Sequence, residues 1–225
     1  ETASVTVKYY DATGAEVFTS GHTIEVDDVL SVYMPDVSGV SAGEYSMVIS
    51  SSQPVAASST FGDIDSRASY SGFDAGAQSW FIPGIYDNYY AYYSEVYAQN
   101  VSGALVDMTL SIYAPGSSTA VYTNTKNDVP ANASVLWSQA GLAELDNNIA
   151  YSARVSSTGD IVALTNIYGS GTTAKQLYSF NGFSSGGKKF YTPVLMKNYY
   201  GWNAAIAIQN TSMSIASVTV SYSTG

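Results

Sequence analysis

The sequence contains no cysteine and a single histidine, His22, in 225 residues. Disulfide frameworks and thiolate metal sites are therefore excluded, and a Ser-His-Asp triad or a histidine-based metal site would have to use His22. This histidine follows Ser20-Gly21, and no nucleophile elbow or second ligand accompanies it. We predict a solvated turn residue before a strand, and a protein that is not an enzyme and has no catalytic residue, metal site or cofactor.

Basic residues are also scarce, with 8 Lys and Arg against 18 Asp and Glu and a net charge of −10. No basic cluster is available to neutralise phosphates, so nucleic acid is not an expected partner. No apolar run approaches the roughly 20 residues needed to cross a bilayer, so we expect no membrane span. The acidic pairs at Asp27-Asp28 and Asp63-Ile64-Asp65 lack the ligand spacing of a calcium loop and are interpreted as turns. A hydrolase with a hidden pair of carboxylates is a weaker hypothesis.

The residues that are plentiful, Ser, Thr, Gly, Tyr and Val, are typical of twisted antiparallel sheets with uncharged outer faces. Val5, Val7 and Tyr9 alternate with polar residues, which is the period of a half-buried strand. Gly14 ends a turn after which the chain can return as a hairpin partner. Further strands are predicted at residues 15–18, 23–26, 30–33, 45–50 and 55–57. Residues 59–79 are interpreted as a long excursion between domains, and residues 136–147 as a turn or two of helix with Leu142 and Leu145 inward.

The sequence repeats itself. Asn88-Tyr89-Tyr90 recurs as Asn198-Tyr199-Tyr200, an offset of 110 residues (198 − 88). The strand at Val5-Thr6-Val7 corresponds to Met108-Thr109-Leu110 at an offset of 103 (108 − 5). We attribute the difference to an insertion of about seven residues after Trp137. A repeat of this length with matched strand order indicates tandem domains.

The repeat frame does not coincide with the chain ends, because Ala3-Ser4-Val5-Thr6-Val7 returns letter for letter as Ala216-Ser217-Val218-Thr219-Val220. We predict an all-β protein with two immunoglobulin-like antiparallel β-sandwich domains in tandem. Residues 1–75 form a sandwich without its opening strand, residues 76–185 a complete one, and residues 186–225 a strand segment that completes a neighbouring subunit. A fragment cut from a longer array of repeats would also begin and end out of frame.

A sandwich that lacks a strand exposes an apolar groove and unpaired backbone groups, which is the template for strand addition. The predicted joint consists of residues 3–9 of one copy and 203–222 of another. Its interface residues are Ala3, Val5, Val7, Tyr9, Ala204, Ile206, Ile208, Val218, Val220 and Tyr222. Because head-to-tail contacts of this kind do not close, they would produce a filament.

Two resemblances support this interpretation. The motif Lys197-Asn198-Tyr199-Tyr200-Gly201-Trp202, with Ile206-Ala207-Ile208-Gln209-Asn210 and Val218-Thr219-Val220, resembles immunoglobulin-like repeats of secreted bacterial surface proteins. The duplicated terminal strand resembles subunits of extracellular filaments held together by donor-strand complementation. These resemblances imply a structural subunit of a pilus-like homopolymer. They also imply an extracellular or cell-surface location, which a sequence beginning at Glu1 without an initiator Met would fit.

The aromatic residues leave an alternative open. Tyr89, Tyr90 and Tyr92 recur as Tyr199, Tyr200 and Trp202, and this recurrence favours packing at the domain joint. The same side chains could form a glycan-binding face, so the protein would be a monomeric adhesin or carbohydrate-binding module with environmental glycans as partners. Asn100, Asn132 and Asn210 each begin an N-glycosylation sequon and are candidate modification sites.

Overall fold

A computed structural model describes residues 1–170 and 176–222 of the chain. Almost all regular structure in these residues is antiparallel strand, and the one helical element is a 3-10 turn at Met34–Asp36. The all-β class predicted from composition and alternation is therefore confirmed. The strands are β1 (Ala3–Tyr10), β2 (Glu16–Ile24), β3 (Ser46–Ser51), β4 (Ser58–Gly62), β5 (Arg67–Ser71), β6 (Ala77–Ile85), β7 (Tyr92–Asn100), β8 (Val106–Tyr113), β9 (Ala120–Val129), β10 (Ser134–Ser138), β11 (Tyr151–Gly169) and β12 (Leu177–Asn181).

Strands β1 to β5, which we call the N-terminal unit, form two small sheets. The first has the order β2-β1-β3, and the second is the hairpin β4-β5. The alternation seen in the sequence places Val5, Val7 and Tyr9 of the central strand on the buried face. Phe18, Ile24 and Val40 pack against these residues. This core is too small to supply much stability by itself.

Strands β6 to β12, the central unit, form one seven-stranded arrangement around the long strand β11. The first part of β11 lies between β8 and β6, with Ala153 opposite both Ile112 and Ile82. The second part pairs with β7 and β12. The irregular register between Ser156 and Ile161 marks the change of partners, and such bulges allow a strand to bend from one layer to another.

One large core fills the central unit. Trp80, Val96, Leu110 and Val155 come from four different strands and are all buried in it. The Trp80 indole Nε1 also donates a 2.6 Å hydrogen bond to the carbonyl oxygen of Ile161, so this large ring is buried with its polar atom satisfied. The period-two alternation of β6, β7 and β8 thus serves one continuous apolar interior.

Residues 184–222, the C-terminal segment, contribute no strand to any of these sheets. Only Gln209 and Thr211 of its described residues are even half-buried. Its exposed apolar side chains are Phe190, Tyr191, Val194, Leu195, Met196, Tyr199, Tyr200, Trp202, Ile206, Ile208, Met213, Ile215, Val218, Val220 and Tyr222. An apolar surface of this extent on one segment is characteristic of an interaction site.

Several local predictions were wrong. Residues 30–33 form no strand and Val32 and Tyr33 are exposed, because alternation creates a strand only where a partner supplies its ladder. The predicted excursion at 59–79 contains β5 and parts of β4 and β6. Residues 136–147 form the end of β10 and a series of turns rather than a helix, although Leu145 is buried and Leu142 packs against the core as predicted.

Candidate functional site

The N-terminal and central units have the same pairing pattern, which allows their strands to be matched. In one unit β1 lies between β2 and β3, and in the other β8 lies between β9 and β11. Both hairpins carry an irregularity at the same place, between Tyr9 and Tyr10 and between Ile112 and Tyr113. The match of β1 to β8 therefore has the offset of 103 residues expected from the sequence (113 − 10).

The strands after this hairpin correspond to the two parts of β11 and to β12. Tyr10 is opposite Ser46 and Tyr113 is opposite Ser152, which sets the offset of β3 to 106 (152 − 46). The backbone N–H of Gly72 donates to the carbonyl oxygen of Ala57, and that of Gly182 donates to the carbonyl oxygen of Ala163. The two acceptor residues are again 106 positions apart (163 − 57). β3 and β4 together are thus the counterpart of β11, and β5 is the counterpart of β12 at an offset of 110 (182 − 72).

These offsets correct the predicted insertion after Trp137. The change from 103 to 106 accumulates before β3, and the change from 106 to 110 occurs between β4 and β5. The turn joining Gly62 to Arg67 is shorter than the connection joining their counterparts Tyr168 and Leu177. Since loops tolerate insertions at low cost in free energy, the extra residues are spread over several connections.

The comparison locates two edges without partners. β11 is paired on both sides, by β6 and β8 in its first part and by β7 and β12 in its second. Among the described residues, β3 pairs only with β1 and β4 only with β5. We call the unpaired sides of β3 and β4 the open edges. Unpaired backbone donors and acceptors along such an edge favour the addition of a strand.

The side chains at the open edges are exposed where their counterparts are buried. Ile49 of β3 is 37% exposed, whereas its counterpart Val155 is 0% exposed. Met47 is 41% exposed and its counterpart Ala153 is 0% exposed. The N-terminal unit therefore lacks the counterparts of the strands that cover β11, namely β6 and β7.

The C-terminal segment carries those counterparts at the offset of 110. The turn before β7 has positive φ at Asn88 and Tyr90, and the segment has positive φ at Asn198 and Tyr200. In the first turn Tyr89 and Tyr92 exchange two backbone hydrogen bonds, as Tyr199 and Trp202 do in the second. The predicted repeat is therefore present in the local backbone, although residues 202–210 form no ladder.

The loop after β7 is reproduced as well. The Asn100 side-chain oxygen accepts from the backbone N–H of Ser102 at 2.9 Å, and that of Asn210 accepts from Ser212 at 3.0 Å. Asn100 is completely buried, and its amide nitrogen donates to the carbonyl oxygens of Ala104 and Val129. Asn210 is exposed and donates to Ser214. The segment thus repeats the turn before β7 and the loop after it without the surrounding core.

The tyrosine-rich turn between β6 and β7 forms a separate aromatic cluster. Tyr86 and Tyr89 stack with ring centroids 4.8 Å apart, and Tyr90 meets Tyr89 edge-on. The hydroxyl of Tyr92 donates to the side-chain oxygen of Gln176, and its ring meets that of Tyr178 edge-on. Burial raises the pKa of Tyr178, and the nearby Tyr86 and Tyr92 hydroxyls add to this effect. This cluster presents the exposed ring of Tyr90 to solvent.

The remaining candidate residues lie apart from these edges. His22 lies within β2 rather than in a turn, and its Nε2 is 2.8 Å from the Ser20 hydroxyl. Asp63 closes the β4–β5 turn by accepting from the backbone N–H groups of Asp65 and Ser66. Across residues 1–170 and 176–222, no three His, Cys, Asp or Glu side chains are grouped as for a metal ion. In the same ranges no helix has the length and apolar character needed to cross a membrane.

The three sequons differ in their surroundings. The amide nitrogen of Asn100, to which a glycan would be attached, makes two hydrogen bonds inside the fold, so glycosylation there would require the loop to open. Asn132 is half-buried with positive φ, and Asn210 is exposed. Glycosylation of Asn132 and Asn210 stays a prediction.

The predicted interface residues fall into two groups. Ala3, Val5, Val7 and Tyr9 are already buried inside the N-terminal unit, whereas Ala204, Ile206, Ile208, Val218, Val220 and Tyr222 are exposed on the C-terminal segment. Residues 47 and 49, which line an open edge, were not singled out from the sequence. The signal that could have identified them is the alternation of Tyr45, Met47 and Ile49, aligned with Tyr151, Ala153 and Val155.

Comparisons with known proteins establish no family. No protein-family model matches the chain, and no curated protein matches it. The crystal structure of Thermotoga maritima 1070 is similar with a TM-score of 0.42 and 15% identity, over 50% of this chain and 98% of that one. The Anabaena sensory rhodopsin transducer is similar with a TM-score of 0.32 and 20% identity, over 41% of this chain and 97% of that one. Likenesses of this size establish neither a family nor a function.

Proposed function

We propose that the protein is a structural subunit of an extracellular homopolymer, in which the C-terminal segment of one copy completes the N-terminal unit of the next. The observation that supports this most strongly is the coexistence of two complementary defects. The open edges of β3 and β4 lack the counterparts of β6 and β7, and residues 187–210 repeat those two strands without pairing. Each immunoglobulin-like unit of the proposed filament would then be whole.

The free energies involved are of a suitable size. Phe190, Leu195, Ile206 and Ile208 are 41–66% exposed, so burying the exposed part of these four residues would contribute about 3–6 kcal/mol, roughly half of what fully exposed side chains would gain. Each new ladder hydrogen bond would add about 1 kcal/mol. Association itself costs about 4–15 kcal/mol. The favourable and unfavourable terms are of comparable size, so assembly should depend on protein concentration, and strand exchange makes release slow because a core must open.

Assembly can be tested with the purified chain. Light scattering after size-exclusion chromatography, together with negative-stain microscopy, should show monomers at low concentration and thin filaments at high concentration. Deletion of residues 187–225 should abolish the filaments. A chain that stays monomeric at every concentration would contradict the proposal.

A second candidate function is supported by the exposed Tyr90 ring in the aromatic cluster. Stacked tyrosines form suitable platforms for sugar rings, so a monomeric surface adhesin or carbohydrate-binding module remains the alternative proposal. Binding of the intact chain to a glycan array, compared with a Tyr90→Ala variant, would test it. Saturable binding that the variant loses, by a chain that does not assemble, would support this alternative over the filament.

A further inference from the structure

We infer that the donated element is a pair of strands, residues 187–195 on β3 and residues 202–210 on β4, in a register fixed by the central unit. This inference rests on the proposed head-to-tail assembly and specifies its joint. The occupant of the open edges is a second copy of this chain.

The register on β3 follows from the pairing of β6 with β11. Arg154 is opposite Phe81, and Val155 is opposite Trp80. Subtracting 106 from the β11 residue numbers gives the counterparts on β3, and adding 110 to the β6 residue numbers gives the counterparts in the C-terminal segment. Val48 is thereby placed opposite Tyr191, and Ile49 opposite Phe190. The exposed Ile49 and Phe190 would thereby take the places of Val155 and Trp80, which are buried in the core of the central unit.

The register on β4 follows from the pairing of β7 with β11. Thr165 is opposite Val96, and Asn166 is opposite Glu95. The same offsets place Ser59 opposite Ile206 and Thr60 opposite Ala205. Ile206 is 46% exposed in the segment, whereas Val96 is 0% exposed in the core, so donation would bury a side chain that now lies in water.

Donation also gives residues 30–33 a partner. In the central unit β10 precedes β11 and pairs with β7, with Leu136 opposite Tyr97. Residues 30–33 occupy the corresponding place in the order of the N-terminal unit, between β2 and β3, and form no strand. Once residues 202–210 of another copy pair with β4, residues 30–33 can pair with the remaining free edge of that donated strand, as β10 pairs with β7. The strand predicted there from alternation would then form in the assembled state.

Residues 216–222 take no part in the donated pair. They match β8 at the offset of 110, and β1 matches β8 at the offset of 103. Both segments therefore fit one position, and β1 already occupies it between β2 and β3. Its side chains Val5, Val7 and Tyr9 are buried there, so exchanging β1 for the copy at 216–222 would gain no buried surface.

The register can be tested with cysteines, because the chain has none of its own. Chains carrying Val48→Cys are mixed with chains carrying Tyr191→Cys, assembled and oxidised, and disulfide-linked dimers are measured by non-reducing electrophoresis. In the central unit the corresponding Arg154 guanidinium lies over the Phe81 ring, 5.6 Å from its centroid, so the two cysteines should face each other. Directly opposite positions have the separation that a disulfide needs.

A matched control replaces Tyr191→Cys by Thr192→Cys, which points to the other face of the strand. We expect about tenfold more cross-linking for the first pair, since side chains that point apart cannot be bridged. Thr60→Cys with Ala205→Cys tests β4 in the same way, with Ile206→Cys as its control. Equal cross-linking of test and control pairs in assembled material would overturn the register.

A truncation separates this inference from the proposed function. Deletion of residues 211–225 should leave assembly intact, whereas deletion of residues 187–225 should abolish it. If the shorter deletion abolishes assembly, residues 216–222 are the donated strand and the two-strand inference fails while the proposed function stands. If the intact chain does not assemble at all, the proposed function fails.

Discussion

The N-terminal unit contains counterparts of β8, β9, β11 and β12 of the central unit, yet only the central unit has a large core. Its strand β11 is paired on both sides in its first and second parts, and side chains such as Val155 are fully buried. Within residues 1–170 and 176–222, the matching strands β3 and β4 have one partner each, and Ile49 in the position of Val155 is exposed. The difference teaches that the shared strands enclose a large core only where β6 and β7 cover them.

The largest effect we expect comes from comparing Trp80 with its counterpart Phe190. Trp80 is buried and bonded to Ile161, so Trp80→Ala should lower the free energy of unfolding of the central unit by about 3–5 kcal/mol. Phe190→Ala should change it by less than about 0.5 kcal/mol, since the ring is exposed in the monomer. Both changes can be measured by urea denaturation at low protein concentration. Far-UV circular dichroism monitors unfolding of both variants, and Trp fluorescence also monitors that of Phe190→Ala. Similar losses in both variants would mean that the segment is already docked.

Asn100 and Asn210 provide a second matched pair. Asn100→Ala removes the donor to the carbonyl oxygens of Ala104 and Val129, and we expect a loss of about 2–3 kcal/mol because Asn100 is completely buried and the Val129 acceptor loses its donor inside the fold. Asn210→Ala removes bonds within an exposed loop, and the expected loss in the monomer is below about 1 kcal/mol. Urea denaturation of both variants under the conditions used for Trp80 tests the difference, and an equal loss would argue against it.

Alkaline pH should destabilise the central unit through Tyr97. Burial raises the pKa of this phenol, and the negative charge of Glu95 raises it further. Tyrosine in an unfolded chain titrates near about pH 10, so above that pH the unfolded state loses its proton first and the free energy of unfolding falls. Below that pH the contribution is constant. Tyr97→Phe should weaken this dependence, as measured by urea denaturation at pH 9 and pH 11, and an unchanged dependence would count against the assignment.

The smallest expected effect concerns the β1–β2 turn of the N-terminal unit. Hydrogen bonds from Thr13, followed by that from the Ala15 backbone, lower the pKa of Asp11. A lowered pKa in the folded state stabilises that state above about pH 4 and loses this contribution as the pH falls. Asp11→Ala should therefore reduce the acid sensitivity of the N-terminal unit. Hydrogen exchange of β1 amides between pH 3 and pH 6 should show a shallower change than in the unaltered chain, and an identical change would refute this role.

The sequence was sufficient for the features that depend on local pattern. Alternation located β1, and the match of Val5-Thr6-Val7 to Met108-Thr109-Leu110 located β8. The spacing of Asn88-Tyr89-Tyr90 and Asn198-Tyr199-Tyr200 located the repeated turn. It could not locate the open edges, because an edge is defined by which strand pairs with which and in what register. Residues 30–33 illustrate the limit, since their alternation is suitable for a strand but no strand in the described part of the chain pairs with them.

The joint that we propose differs from the interface predicted from the sequence for the same reason. The letter-for-letter repeat drew attention to Val5 and Val218, which match one position in the fold. The pairing of β11 instead points to Ile49 and Phe190, which differ in residue type from their counterparts Val155 and Trp80. A repeated strand identifies a position in the fold for which the chain has two copies, whereas the proposed assembly depends on positions that no strand occupies in the monomer.

Hydrogen exchange of the β3 and β4 backbone amides, followed as the concentration of the intact chain is raised, tests the central claim most directly. We predict rapid exchange at Ile49 and Ser59 in the monomer and strong protection in the polymer, because the open edges gain hydrogen bonds only from another copy. Strong protection of these amides in a dilute monomer would show that the chain closes its own edges, and would contradict the account.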